Sequence, residues 1–140
     1  MIVCIDTNVL LQGRAKTHPF HCILRACALG AMSWAVSNRI LTEYREMITS
    51  LNGVSAWERV AQLLDLIDRS GTLILISPHY QFKVISDDPD GNAFTDCAIA
   101  AHADYVITED RHFLPLASAG YKPQPITPAE FIERYRGIYV

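Results

Sequence analysis

The chain has 140 residues, the size of one domain and long enough to bury roughly two thirds of the surface its unfolded form exposes. Half of the residues are hydrophobic and 19% are charged, with seven glycines and seven prolines, which excludes a disordered or collagen-like chain. A formal net charge of −3 counts against a passive nucleic-acid-binding module, which needs basic surface for phosphate contacts, but less against an enzyme that reaches phosphates through metal ions held by its own acids.

The predicted elements follow in chain order. Ile2-Val3-Cys4-Ile5 is a short, continuous apolar run of the kind found in buried parallel strands, and it stops abruptly at Asp6. After a loop, Ile23, Leu24, Cys27 and Ala28 recur at helical spacing between about Phe20 and Leu29, and Gly30 supplies the stop. Met32 to Val36 reads as a second strand. Ser37 is a natural N-cap for the next helix, whose apolar stripe is Ile40, Leu41, Tyr44, Met47 and Ile48. Asn52-Gly53 breaks that helix, and another is expected from Ser55 to Arg69 through Val60, Leu63, Leu64 and Ile67. Gly71 leads into a third strand, Thr72 to Ile76, closed by Pro78. The segment Asp87-Asp88-Pro89-Asp90-Gly91-Asn92 is dense in turn formers and precedes a helix from about Ala93 to Ala103. Tyr105-Val106-Ile107 is a fourth strand. Pro123, Pro125 and Pro128 punctuate an edge strand near Ile126, and Ala129 to Tyr135 is helical. This alternation predicts one α/β domain over residues 1–140, with a central parallel sheet between two layers of helices. Its functional crevice is expected beyond the carboxyl ends of the strands.

Acids gather at those ends. Asp6 closes the first strand, Asp110 lies just past the fourth, and Glu43 sits on the helix after the second. At about 100° per residue, Glu43 falls about 40° from Met47 and about 60° from Ile40, at the margin of the buried stripe. Asp96 is expected in the first turn or two of its helix, where the dipole favours negative charge. Four carboxylates at one edge repel one another and raise at least one pKa unless cations neutralise them. An all-oxygen donor set selects Mg²⁺ or Mn²⁺ over zinc, and such ions hydrolyse phosphodiesters by acidifying a water and stabilising the leaving oxygen. Asp90, nearest the start of the helix, is a supporting acid, whereas Asp87 and Asp88 read as turn and capping residues.

Other groups are weighed against this set. Arg39 and Arg111 are candidates for gripping substrate phosphates. His102 and His112, lone histidines flanking the fourth strand, read as surface or packing residues, and His18, His21 and Cys22 match no zinc spacing. Trp34 and Trp57 fit core positions. The four cysteines form no CxxC pair, so buried reduced thiols are expected. No apolar run approaches the roughly 20 residues of a membrane span, and an acid at position 6 comes too early for a signal peptide, so a cytoplasmic protein is expected.

With these residues in place, the chain resembles the PIN-domain family, in particular its bacterial members that act as toxins of toxin–antitoxin pairs. Ile2 through Leu10 resembles the opening strand and Asp-Thr-Asn turn, and Ser37 through Glu46 the "S…EYRE" helix. Asp87 through Ala98 resembles the "DPDDN…D/E-CA" segment, and Ala103 through Asp110 the "ADYIVTGD" strand. The resemblance covers nearly the whole chain. It implies strand order 3-2-1-4-5, Mg²⁺- or Mn²⁺-dependent endoribonuclease activity with an RNA substrate, frequent homodimers, and an antitoxin protein whose tail blocks the pocket. It carries the acidic quartet onto Asp6, Glu43, Asp96 and Asp110, and the orienting polar positions onto Asn8 and Thr108. The chain departs from the pattern at Glu109, where Gly is common, and at Gly91, where Asp is frequent.

Two competing readings remain. Phosphotransfer hydrolases with an Asp after the first strand require a second Asp two residues on, where this chain has Asn8, and neither a P-loop nor GxGxxG is present. A catalytically inactive PIN-like module that binds RNA or protein is the alternative, and retention of all four mutually repelling acids argues against it.

Overall fold

A computed structural model describes residues 1–79, 81–82 and 89–140, with the backbone alone at Pro89 and Asp90. The short apolar runs become five strands and the amphipathic stretches pack around them. In chain order these are β1 (Ile2–Ile5), α1 (Thr7–Gly13), α2 (His21–Ala28), β2 (Ser33–Ser37), α3 (Asn38–Asn52), α4 (Val54–Arg69) and β3 (Leu73–Ile76). There follow α5 (Pro89–Ala100), β4 (Tyr105–Ile107), a 3-10 turn (Arg111–Phe113), α6 (Leu114–Ser118), β5 (Gln124–Ile126) and α7 (Pro128–Tyr135). All pairings are parallel and the order is β3-β2-β1-β4-β5, a helix-flanked α/β/α sandwich as expected.

The central strand explains the apolar start of the chain. Val3 pairs with Trp34 on one side and Tyr105 on the other, and Val3, Cys4 and Ile5 are wholly buried. From β1 the chain builds outward through β2 to β3, then returns to place β4 on the opposite side of β1. That reversal makes the β1–β4 seam a switch point, where the connections leave in opposite directions and open a crevice at the carboxyl edge.

Local chemistry fixes the helix that borders this crevice. Ser37 ends β2 and caps α3, its hydroxyl accepting from the Ile40 N–H at 3.2 Å. Ile40, Tyr44 and Ile48 form the buried stripe, while Met47 lies further out. The Tyr44 hydroxyl donates to the carbonyl of Ile5, tying α3 to the end of β1. Burial, with nearby Cys4 and Asp6 adding to it, pushes the Tyr44 phenol well above its usual range, so it remains a donor. The rings of Trp34, Tyr44 and Phe94 stand 6.0 Å apart in succession and link β2, α3 and α5 beneath the edge. Trp57 is half-buried against the core, as expected of a packing residue, and Gly53, at φ +87°, separates α3 from α4.

Several boundaries differ from the expected ones. Thr7–Gly13 is a helix rather than a loop, because Asp6 caps it. Helix α5 begins at Pro89, not near Ala93, and ends at Ala100, not Ala103. Proline with its fixed φ suits a first helical turn, and His102, at φ +53°, lies beyond the helix end. Asp87 and Asp88 lie outside the described residues, as does the side chain of Asp90. All four cysteines are free; Cys4, Cys27 and Cys97 are buried and Cys22 is partly so. Among the described residues no helix is long and apolar enough to cross a membrane.

Candidate active site at the carboxyl edge of the sheet

Asp6 follows the last residue of β1, and its backbone N–H is still held by the carbonyl of Ile107 on β4 at 3.0 Å. Its carboxylate caps α1: Oδ1 accepts from the Thr7 N–H at 2.8 Å and Oδ2 from the Thr108 hydroxyl at 2.7 Å. The side chain of Thr7, buried in the crevice, donates a short hydrogen bond to Glu43 Oε2 on α3. Thr108 in turn accepts from the N–H of Asp110 at 3.0 Å. Asp110 caps the 3-10 turn, its Oδ1 accepting from the His112 N–H at 2.9 Å and lying 3.1 Å from the ring Nδ1 of the same residue. A continuous hydrogen-bonded chain therefore runs from Glu43 through Thr7, Asp6 and Thr108 to Asp110 and His112. It spans the switch point.

Asp96 reaches the same edge from α5. It is 7% exposed, its Oδ1 accepts from the Phe82 N–H at 3.0 Å, and it lines a hollow with Ser37, Asn38, Ile76 and Ser77 from the ends of β2 and β3. It sits at the far end of the expected first turn or two of its helix. With α5 beginning at Pro89, Asp96 stands about two turns into the helix, beyond the first-turn reach of the dipole, so burial beside the crevice sets its surroundings. Glu43 lines a neighbouring hollow, and Arg39 and Ala93 line both.

A family model described as PIN domain matches residues 2–112. The chain belongs to the PIN domain family. The matched span contains Asp6, Glu43, Asp96 and Asp110 and stops before β5 and α7. PIN domains are generally nucleases, typically metal-dependent, and PIN nucleases act on RNA. No curated protein and no solved structure matches the chain.

Within this PIN domain the expected residues divide. Asp6, Glu43, Thr108 and Asp110 share one hydrogen-bonded chain, and Asp96 faces the adjoining hollow. Asn8 is exposed on α1, and Glu109 and Arg111 are exposed beside Asp110. Nothing local in the sequence marks Thr7, because its partner lies 36 residues away. His112 carries a local signal, two residues after a capping aspartate, but its contact with Asp110 Oδ1 appears only in three dimensions. As a donor set the acids suit a hard divalent cation: all are oxygens, and Asp6 and Asp96 are at least nine-tenths buried, where carboxylates call for compensating charge, hydrogen bonds or a proton. Among the described residues, however, no three of His, Cys, Asp and Glu stand together closely enough to cage an ion.

Proposed function

We propose that this PIN domain is a metal-dependent endoribonuclease whose Asp6, Glu43, Asp96 and Asp110 hold Mg²⁺ or Mn²⁺. The observation that carries the reading is the hydrogen-bonded chain from Glu43 to Asp110 across the β1–β4 switch point, which pre-orients three acids from three distant segments. When bound, the metal supplies Lewis-acid polarisation of the phosphodiester and a water acidified for attack. The chain's own residues do the positioning. Thr7 and Thr108 hold both oxygens of Asp6 in one rotamer. Thr7 fixes Glu43, and Thr108 fixes the backbone at Asp110. Arg39, which lines both hollows, and Arg111, next in the chain to Asp110, are the candidates for pairing with substrate phosphates. The four sequence blocks support the finer reading of a cytoplasmic, homodimeric toxin restrained by an antitoxin protein.

One observation favours a second reading, that of an inactive binding module: the acids do not form a ready-made cage among the described residues. Cleavage of unstructured RNA with Mn²⁺ or Mg²⁺, and with chelator, separates the two. The wild type is expected to cut only with metal, and Asp6→Asn not at all. Mn²⁺ is expected to raise the melting temperature of the wild type but not of Asp6→Asn or Asp96→Asn, since a ligand that binds only the folded state at about 100 times its Kd adds about 2.7 kcal/mol. Cleavage by Asp6→Asn at the wild-type rate overturns the site, and absence of both cleavage and metal-induced stabilisation in the wild type leaves the binding module.

A further inference from the structure

Two hollows of about 280 Å³ each lie side by side along the carboxyl edge, sharing Arg39 and Ala93 as a common wall. Their chemistry differs. One carries Glu43 and Glu46 with Thr42 and Met47, a lining that offers a nucleobase no amide. The other is lined by Asn38, Ser77 and Gln81, by Ile76 and Pro78, and by Asp96. Asn38, Ser77 and Gln81 are all exposed to solvent. Each amide presents both donors and an acceptor, the pairing that reads a base edge. The volume lies just below the roughly 300–1,000 Å³ of small-molecule sites, room for one ring system and not for a folded segment. Arg39 on the shared wall is a charge-assisted partner for a phosphate.

We propose that the Asn38–Gln81 hollow is a base-recognition subsite that receives one unpaired nucleobase of the RNA, next to the phosphate held at the acids. Asn38 and Gln81 hydrogen-bond the base edge, Ile76 and Pro78 pack on its face, and Arg39 pairs with the adjoining phosphate. Paired bases in an A-form helix are not presented this way, so the subsite confers a preference for one base at the unpaired position it holds. The inference rests on the ribonuclease reading for its substrate, but its test does not require turnover.

The ¹H–¹⁵N spectrum of the full chain, titrated in chelator with AMP, CMP, GMP and UMP separately, is the first measurement. At least one nucleotide is expected to move the side-chain amide signals of Asn38 and Gln81 in preference to the others. Asn38→Ala and Gln81→Ala, both at exposed positions, are expected to keep the wild-type melting temperature and to weaken binding of the preferred nucleotide by about tenfold. With metal present, the same variants are expected to lose the wild type's base preference in RNA cleavage. Base-selective binding without any wild-type cleavage refutes the ribonuclease reading and supports the subsite. Cleavage whose base preference is unchanged in both variants refutes the subsite and leaves the ribonuclease intact. Movement of these signals by an arginine-containing peptide and by none of the nucleotides also overturns the subsite, in favour of a protein partner.

Discussion

Replacing Thr108 with valine removes one hydroxyl and nearly preserves shape, at a side chain that is 3% exposed. That hydroxyl donates to Asp6 Oδ2 at 2.7 Å and accepts from the Asp110 N–H at 3.0 Å. A hydrogen bond to a buried charged group contributes about 1.5–3 kcal/mol, and an ordinary one about 0.5–1.5 kcal/mol. The Asp110 N–H is only partly buried and regains water, so most of the loss falls on Asp6. Thr108→Val is expected to destabilise the chain by about 2–3 kcal/mol at pH 7. For a domain of this size that lowers the melting temperature by about 6–12 °C. Thr108→Ser keeps the hydroxyl and loses one methyl group, which costs about 1 kcal/mol. Calorimetric melts of the three proteins decide the matter. Should valine match the wild type, or serine fall as far as valine, the hydroxyl is not what holds the edge together. RNA cleavage supplies a second readout: with Asp6 freed to rotate, valine is expected to lower kcat more than it raises KM, and serine to restore it.

The Thr7–Glu43 contact predicts coupling, so in a cycle of Thr7→Val and Glu43→Ala the double variant should lose about 1–2 kcal/mol less than the sum of the singles; additive losses by denaturant titration exclude the contact. Ser37→Ala removes the α3 cap and should cost about 1 kcal/mol, and an unchanged urea midpoint counts against the capping role. At the opposite end of the sheet, burial pushes the Asp104 carboxyl up, but the hydrogen bond from Lys122, the Ile2 N–H and the positive charges of Lys122 and the terminal amine outweigh it and hold its pKa below the usual value. Asp104 thus binds its proton less tightly folded than unfolded, and its stabilisation is present above about pH 4 and lost as pH falls through the folded value. Asp104→Asn should therefore melt below the wild type at pH 7, with the difference closing on acidification; a constant difference down to pH 2 contradicts the linkage.

Fold class was legible because period and length carry it. Ile2 to Ile5 is the short unbroken apolar run of a strand buried on both faces, and Ser37 before apolar residues at 40, 41, 44, 47 and 48 has the cap and period of an amphipathic helix. The edges of α1 and α5 were less legible, because Thr7-Asn8 and Pro89-Asp90-Gly91-Asn92 are turn formers that also suit the first turn of a helix. Which of the two they adopt depends on packing beneath them.

The residue types and their order along the chain were sufficient to place Asp6, Glu43, Asp96 and Asp110 near strand ends, since a side chain's element and its position within it are local properties. Their connections were not local. Thr7 meets Glu43 across 36 residues and Thr108 meets Asp6 across 102, and no periodicity encodes a hydrogen bond between segments whose approach depends on strand order. Only the tertiary structure, by laying β4 against β1, decided that a threonine joins two of the acids. It also put Asn38 and Gln81 around the hollow beside Asp96, because α3 and the segment after β3 meet only once the sheet has formed.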